Sequence, residues 1–80
     1  MVMRDRFELM ATVLKTCKSG STKTHIKNSA NLSSAVLEHY LDFLMNLNLI
    51  VEGNSYHTTE KGLGFIRAFE RLQRILASPV

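Results

Sequence analysis

Cysteine and proline occur once each in these 80 residues, and tryptophan not at all. With no second cysteine, Cys17 cannot form an intramolecular disulfide, so stability has to come from packing or from association with another chain. Apolar runs long enough to span a bilayer are absent, which excludes a helical membrane span. The first ten residues carry Arg4, Asp5, Arg6 and Glu8 with no apolar stretch behind them, so a secretory signal is not expected and a cytoplasmic location is. Catalytic signatures are missing as well. There is no glycine-rich phosphate loop, no nucleophile elbow and no carboxylate pair that spacing forces together, so no catalytic residue, and no enzyme, is expected. His25, His39, His57 and Cys17 fall in four separate segments without a Cys-x-x-Cys or His-x-x-x-His pair, and neither a metal nor any other cofactor is expected.

What remains is ordinary for a globular chain: 45% hydrophobic and 21% charged residues, enough for one core and one domain over residues 1–80. The net charge of +3 is mild, but its distribution is uneven. From Leu9 to Leu37 the charges are Lys15, Lys18, Lys23 and Lys27; from Asn28 to Glu60 they are Glu38, Asp42, Glu52 and Glu60. Lys61, Arg67, Arg71 and Arg74 then outnumber Glu70. A phosphate-binding face would therefore draw on the early and late parts of the sequence.

Phe7, Met10, Val13, Leu14 and Cys17 recur at helical spacing, which predicts a first helix over Arg4 to Lys18, stopped by Ser19-Gly20-Ser21. A second short helix is predicted from Thr22 or Lys23 to Ser29, with Ile26 and Ala30 inward and a hydroxyl cap. Asn31-Leu32-Ser33 reads as a turn. Ser33 or Ser34 then caps a third helix whose stripe is Leu37, Tyr40, Leu41, Leu44 and Leu47, leaving Ala35, Glu38, His39 and Asp42 outward. The period changes at Leu49 to Glu52 and at Ser55 to Thr58. These read as two short strands around a Gly53-Asn54 turn with positive φ. Thr59 opens a last helix running over about 60–77. The order helix, helix, helix, hairpin, helix is that of a winged helix-turn-helix, mainly α with a small β-hairpin.

The run Gly20-Ser21-Thr22-Lys23-Thr24-His25-Ile26-Lys27, the turn Asn31-Leu32-Ser33, Tyr40-Leu41 with Leu44, Asn48-Leu49-Ile50, and Tyr56-His57-Thr58-Thr59-Glu60-Lys61-Gly62 together resemble the small archaeal winged-helix transcriptional regulators. The resemblance covers nearly the whole chain. It implies a DNA-binding regulator whose third helix enters the major groove and whose last helix dimerises. Residues expected at double-stranded DNA are Lys23, Thr24, Lys27, Ser33, Ser34, Ala35, Glu38, His39 and Lys61, with the second helix on phosphates and the third on bases. Relatives usually display lysine, arginine or glutamine on the third helix, whereas here the outward positions are small or acidic and the wing tip has no cation. A protein-protein interaction module on the same fold is the competing expectation.

Gly62, Phe65, Phe69, Leu72 and Leu76 follow at steps of three and four, with Ile66 and Ile75 widening the face. From about Phe69 onward this apolar surface exceeds what so small a core needs, so Phe65, Phe69, Leu72, Ile75 and Leu76 are expected at a homodimer interface. No residue pattern names an effector.

Overall fold

In the computed structural model, residues 5–78 are described. They form α1 (Arg6–Thr16), α2 (Lys23–Ala30), α3 (Ser34–Asn46), β1 (Ile50–Glu52), β2 (Tyr56–Thr58) and α4 (Glu60–Ala77). Each helix start is fixed by a short polar side chain that takes up a free backbone N–H. Asp5 accepts from Phe7 and Glu8, Thr22 from His25, Ser33 from Val36, and Thr59 from Gly62. The helix α1 begins at Arg6; Arg4, the expected start, lies outside the described residues, as does Pro79. It ends at Thr16, two residues short of the expected Lys18.

Two asparagines end α2 and α3 in the same way. Asn31 and Asn48 both take left-handed backbone, φ 55° and 61°. The following N–H reaches back to close the turn, Leu32 to the Lys27 carbonyl at 3.1 Å and Leu49 to the Leu44 carbonyl at 3.0 Å. The first of these turns is what makes the α2–α3 connection tight.

The hairpin is antiparallel, with Ile50 opposite Thr58, Val51 opposite His57 and Glu52 opposite Tyr56. Its loop is therefore Gly53-Asn54-Ser55, one residue longer than expected, and neither Gly53 nor Asn54 adopts left-handed backbone. The longer loop closes through the Gly53 N–H on the Ser55 carbonyl at 2.9 Å, which removes the need for positive φ. Ser21 adds a short bridge to Tyr56, so the segment before α2 also pairs with the hairpin.

The core gathers Val13, Leu14 and Cys17 from α1, Ile26 from α2, Leu37, Leu41 and Leu44 from α3, Ile50 and Tyr56 from the hairpin, and Ile66 from α4. Each large apolar side chain so buried contributes roughly 1.5 to 3 kcal/mol before entropy is counted. The helix α4 leaves the hairpin at Gly62, where a Cβ would collide with the Leu49 carbonyl and the Thr58 methyl. It then packs along α1, where Lys15 meets Glu70 at 3.4 Å. Two residues assigned to buried stripes are not buried. Phe7 is 48% exposed and Leu47, at the end of α3, is also exposed. Periodicity puts both on the correct side of their helices, but they lie at the ends of α1 and α3, where among the described residues they border an open groove beside α4 and stay partly exposed. Among the described residues no helix is long and apolar enough to cross a membrane.

Candidate nucleic-acid interface

The α2–turn–α3 unit presents one polar surface. Ser33 caps α3, and beyond it Ser34, Ala35, Glu38 and His39 are all exposed. Beside them on α2, Lys23 and Thr24 are exposed and Lys27 is half-buried. Lys23, Thr24, Lys27, Asn28, Ser34, Leu37 and Glu38 line one cleft of about 270 Å³ between the two helices. Eight of the nine residues expected at a duplex thus sit on this unit.

Lys61 does not. Its ammonium donates to the Leu47 carbonyl at 2.8 Å, which places it at the C-terminal end of α3, where a cation answers the free carbonyls and the helix dipole. Sequence order, which puts Lys61 just after the wing, carries no hint of this return.

Within the cleft Lys23 and Glu38 form an ion pair. The hydrogen bond to Glu38 holds the Lys23 ammonium above its ordinary pKa, with Glu52 acting in the same direction through space. Glu52 itself accepts from the Tyr56 hydroxyl at 3.2 Å, and burial raises the Tyr56 pKa. The wing carries Gly53, Asn54 and Ser55 at its tip, so its approach is neutral.

On the other side of α3, Arg6, His39, Tyr40 and Phe43 line a smaller concavity of about 120 Å³. The His39 and Tyr40 rings meet edge-on, 6.0 Å between centroids. Nothing in the spacing of the sequence singles out Arg6, because its neighbours there come from a helix more than thirty residues away.

A second, apolar surface lies along α1 and α4. Phe7, Phe65, Ala68, Phe69 and Leu72 line a groove of about 210 Å³ that adjoins another, of about 340 Å³, running past Phe7 and Phe65 to Met10, Phe43, Leu47 and Leu49. Phe65 and Phe69 stack nearly parallel, 6.4 Å apart. Phe69 is only 6% exposed, so it is largely covered within the chain, contrary to the expectation that the spare surface starts there. That surface starts at Leu72, 43% exposed, and continues through Ile75 and Leu76, at 63% and 48%.

Among the described residues no three His, Cys, Asp or Glu side chains come together as metal ligands. Cys17 is buried, and burial pushes its thiol up to about 11, which leaves little thiolate at neutral pH.

The winged helix-turn-helix family profile matches residues 3–77. The chain belongs to that family. As a winged helix-turn-helix protein it is similar to the solved structure of Sso10a-2, a DNA-binding protein from Sulfolobus solfataricus, at 26% identity and TM-score 0.79, over 90% of this chain and 81% of that one. It shares the fold of a mutant MepR from a multidrug-resistant S. aureus clinical isolate, at 16% identity and TM-score 0.72. There 99% of this winged-helix chain aligns with 66% of the other, so it spans just under two thirds of that protein. No curated protein matches it by sequence.

Proposed function

We propose that this winged helix-turn-helix protein is a DNA-binding transcriptional regulator of the cytoplasm, acting as a homodimer and without enzymatic activity. The observation that carries the reading is the likeness to Sso10a-2 along nine tenths of the chain; a polar cleft between α2 and α3 that holds Lys23, Thr24, Lys27, Ser34 and Glu38 supports it. In this reading Ser34, Ala35, Glu38 and His39 face base edges in the major groove. Lys23, Thr24, Lys27 and the first amides of α2 hold phosphates of one strand, and Ser33 sets the start of α3. A glutamate at Glu38 accepts from the cytosine amino group, and Ala35 meets a thymine methyl. The segment Phe65 to Leu76 pairs two copies, which sets two α3 helices on one side as half-sites require. Its support is the uncovered run from Leu72 to Leu76 at the end of a long groove.

Fluorescence anisotropy with a duplex of random sequence, from low salt upward, tests this. Binding should fall steeply with salt. Lys23→Gln with Lys27→Gln should flatten the slope of log K against log salt by about 0.9 for each phosphate no longer neutralised, equally on all sequences. Absence of duplex binding at low salt would instead favour the protein-protein interaction module, for which the Lys23–Glu38 pair and the neutral wing are the specific observations.

A further inference from the structure

We propose that Arg6, with Tyr40, forms a second phosphate-binding station on the flank of α3 opposite Lys23. The inference rests on the duplex reading above and extends it to the other DNA strand. At about 100° per residue, Ala35, His39 and Asp42 lie about 40° to 100° round the axis of α3 from Glu38, and make its outward ridge. Glu38 and its partner Lys23 border that ridge on one side. Phe43 and Tyr40, at about 140° and 200°, border it on the other, and there the structure puts Arg6.

A helix is about 10 to 12 Å across with its side chains, and the major groove is about 12 Å wide. A helix that fills the groove therefore passes close to both sugar-phosphate strands, and cations on both of its flanks have a phosphate within reach. The two flanks are unequally equipped. Lys23 is engaged by Glu38, whereas among the described residues no carboxylate lines the Arg6 concavity and Arg6 forms no ion pair. The donors there suit a phosphodiester: a planar guanidinium that grips two oxygens at once and a tyrosine hydroxyl. The edge-on contact of His39 with Tyr40 holds the two rings in a fixed relation. Phe43 lines the concavity beside them and adds an apolar edge.

Salt titration with the random duplex, on the full chain and three variants, tests this. Arg6→Gln should weaken binding severalfold at low salt and reduce the slope by about 0.9, one phosphate's worth. Arg6→Lys should restore the slope but not all of the affinity, since it keeps the charge and loses the fork. Tyr40→Phe should lower affinity with the slope unchanged. If wild type binds and Arg6→Gln keeps its slope, the station is overturned and the duplex reading stands. If wild type binds no duplex, both fall.

Discussion

The α2–α3 unit and the far end of α4 are both exposed, but they handle their exposed groups in opposite ways. On the helix-turn-helix the backbone ends are capped by Thr22 and Ser33, the turns close on Asn31 and Asn48, and Lys23 is matched by Glu38. Among the described residues no buried side-chain polar atom lacks a partner. At the end of α4, Leu72, Ile75 and Leu76 are large apolar side chains left 43%, 63% and 48% exposed. A polar surface costs little in water whether or not it is bound, while an apolar one is stabilised only by being covered. The contrast supports the division of work in the proposed function, with reversible contact at α3 and lasting association at α4.

The largest effect expected is on that association. Leu72→Glu with Leu76→Glu should raise the dimer dissociation constant at least about a hundredfold, the equivalent of about 2.8 kcal/mol. It should leave the fold intact, because both positions are exposed in the single chain. Phe69→Glu should unfold the protein instead, since it places a charge among covered rings. Light scattering read beside the thermal melt separates these outcomes. A wild-type monomer at micromolar concentration, or a Leu72/Leu76 variant that unfolds, would erase the contrast between the two regions.

A smaller effect is expected where the two regions meet. The Cys17 carbonyl accepts from the Gly20 and Thr58 N–H groups, both at 3.1 Å, and so ties α1 to the hairpin from which α4 departs. Burial raises the thiol from 9.0 to about 11. Below about pH 9 the thiol is protonated in folded and unfolded chains alike, and its full contribution to stability is present. Between about 9 and about 11 the unfolded chain ionises first, so that contribution is lost as pH rises, to a total of roughly 2 to 3 kcal/mol. Cys17→Ala should remove this part of the alkaline decline, leaving that of Tyr56, whose raised pKa acts in the same direction at higher pH. Denaturant melts of the two proteins between pH 8 and pH 11 (roughly the window set by the thiol) measure the difference. Parallel pH curves would mean that the core around Cys17 is open to water.

How much of this was legible beforehand follows from the range over which each feature is determined. The caps Thr22, Ser33 and Thr59, the ends of α2 and α3 and the helix order depend on neighbours within a few residues, and the sequence displays them directly. The winged helix-turn-helix architecture followed from that order. The buried stripes were legible in phase but not in extent. Phe7 and Leu47 have the right period but remain partly exposed, and Phe69 is covered in the packing of α4 along α1, which periodicity does not reveal. At the candidate site, Lys23, Thr24, Lys27, Ser34 and Glu38 share one cleft because the tight turn brings α2 and α3 together, a juxtaposition that follows from short-range order. The pairing of Lys23 with Glu38, the diversion of Lys61 to the Leu47 carbonyl and the arrival of Arg6 beside His39 depend on tertiary packing, and no local spacing encodes them.

The smallest effect, and the sharpest test of reversible contact at α3, concerns Glu38. In the free protein Lys23 and Glu38 satisfy each other, yet the duplex reading asks Lys23 to hold a phosphate and Glu38 to meet a base. Both demands are met only if the pair opens on binding, which an exposed ion pair does readily because water replaces either partner. Glu38→Gln removes a negative charge that faces the phosphates and frees Lys23 beforehand. Affinity for random duplex should then rise on the order of tenfold or less, while the salt slope stays the same, because Lys23 reaches its phosphate in both proteins. A slope steeper by about 0.9 in the variant would instead mean that Lys23 never leaves Glu38 in the wild-type complex. Base preference supplies the second readout. A glutamate accepts from cytosine, whereas a glutamine pairs with adenine through two hydrogen bonds, so duplexes selected from a random pool should exchange a preferred cytosine for adenine at one position. Identical pools and identical affinities would show that Glu38 meets no base and that α3 reads the duplex, if at all, through Ser34, Ala35 and His39 alone.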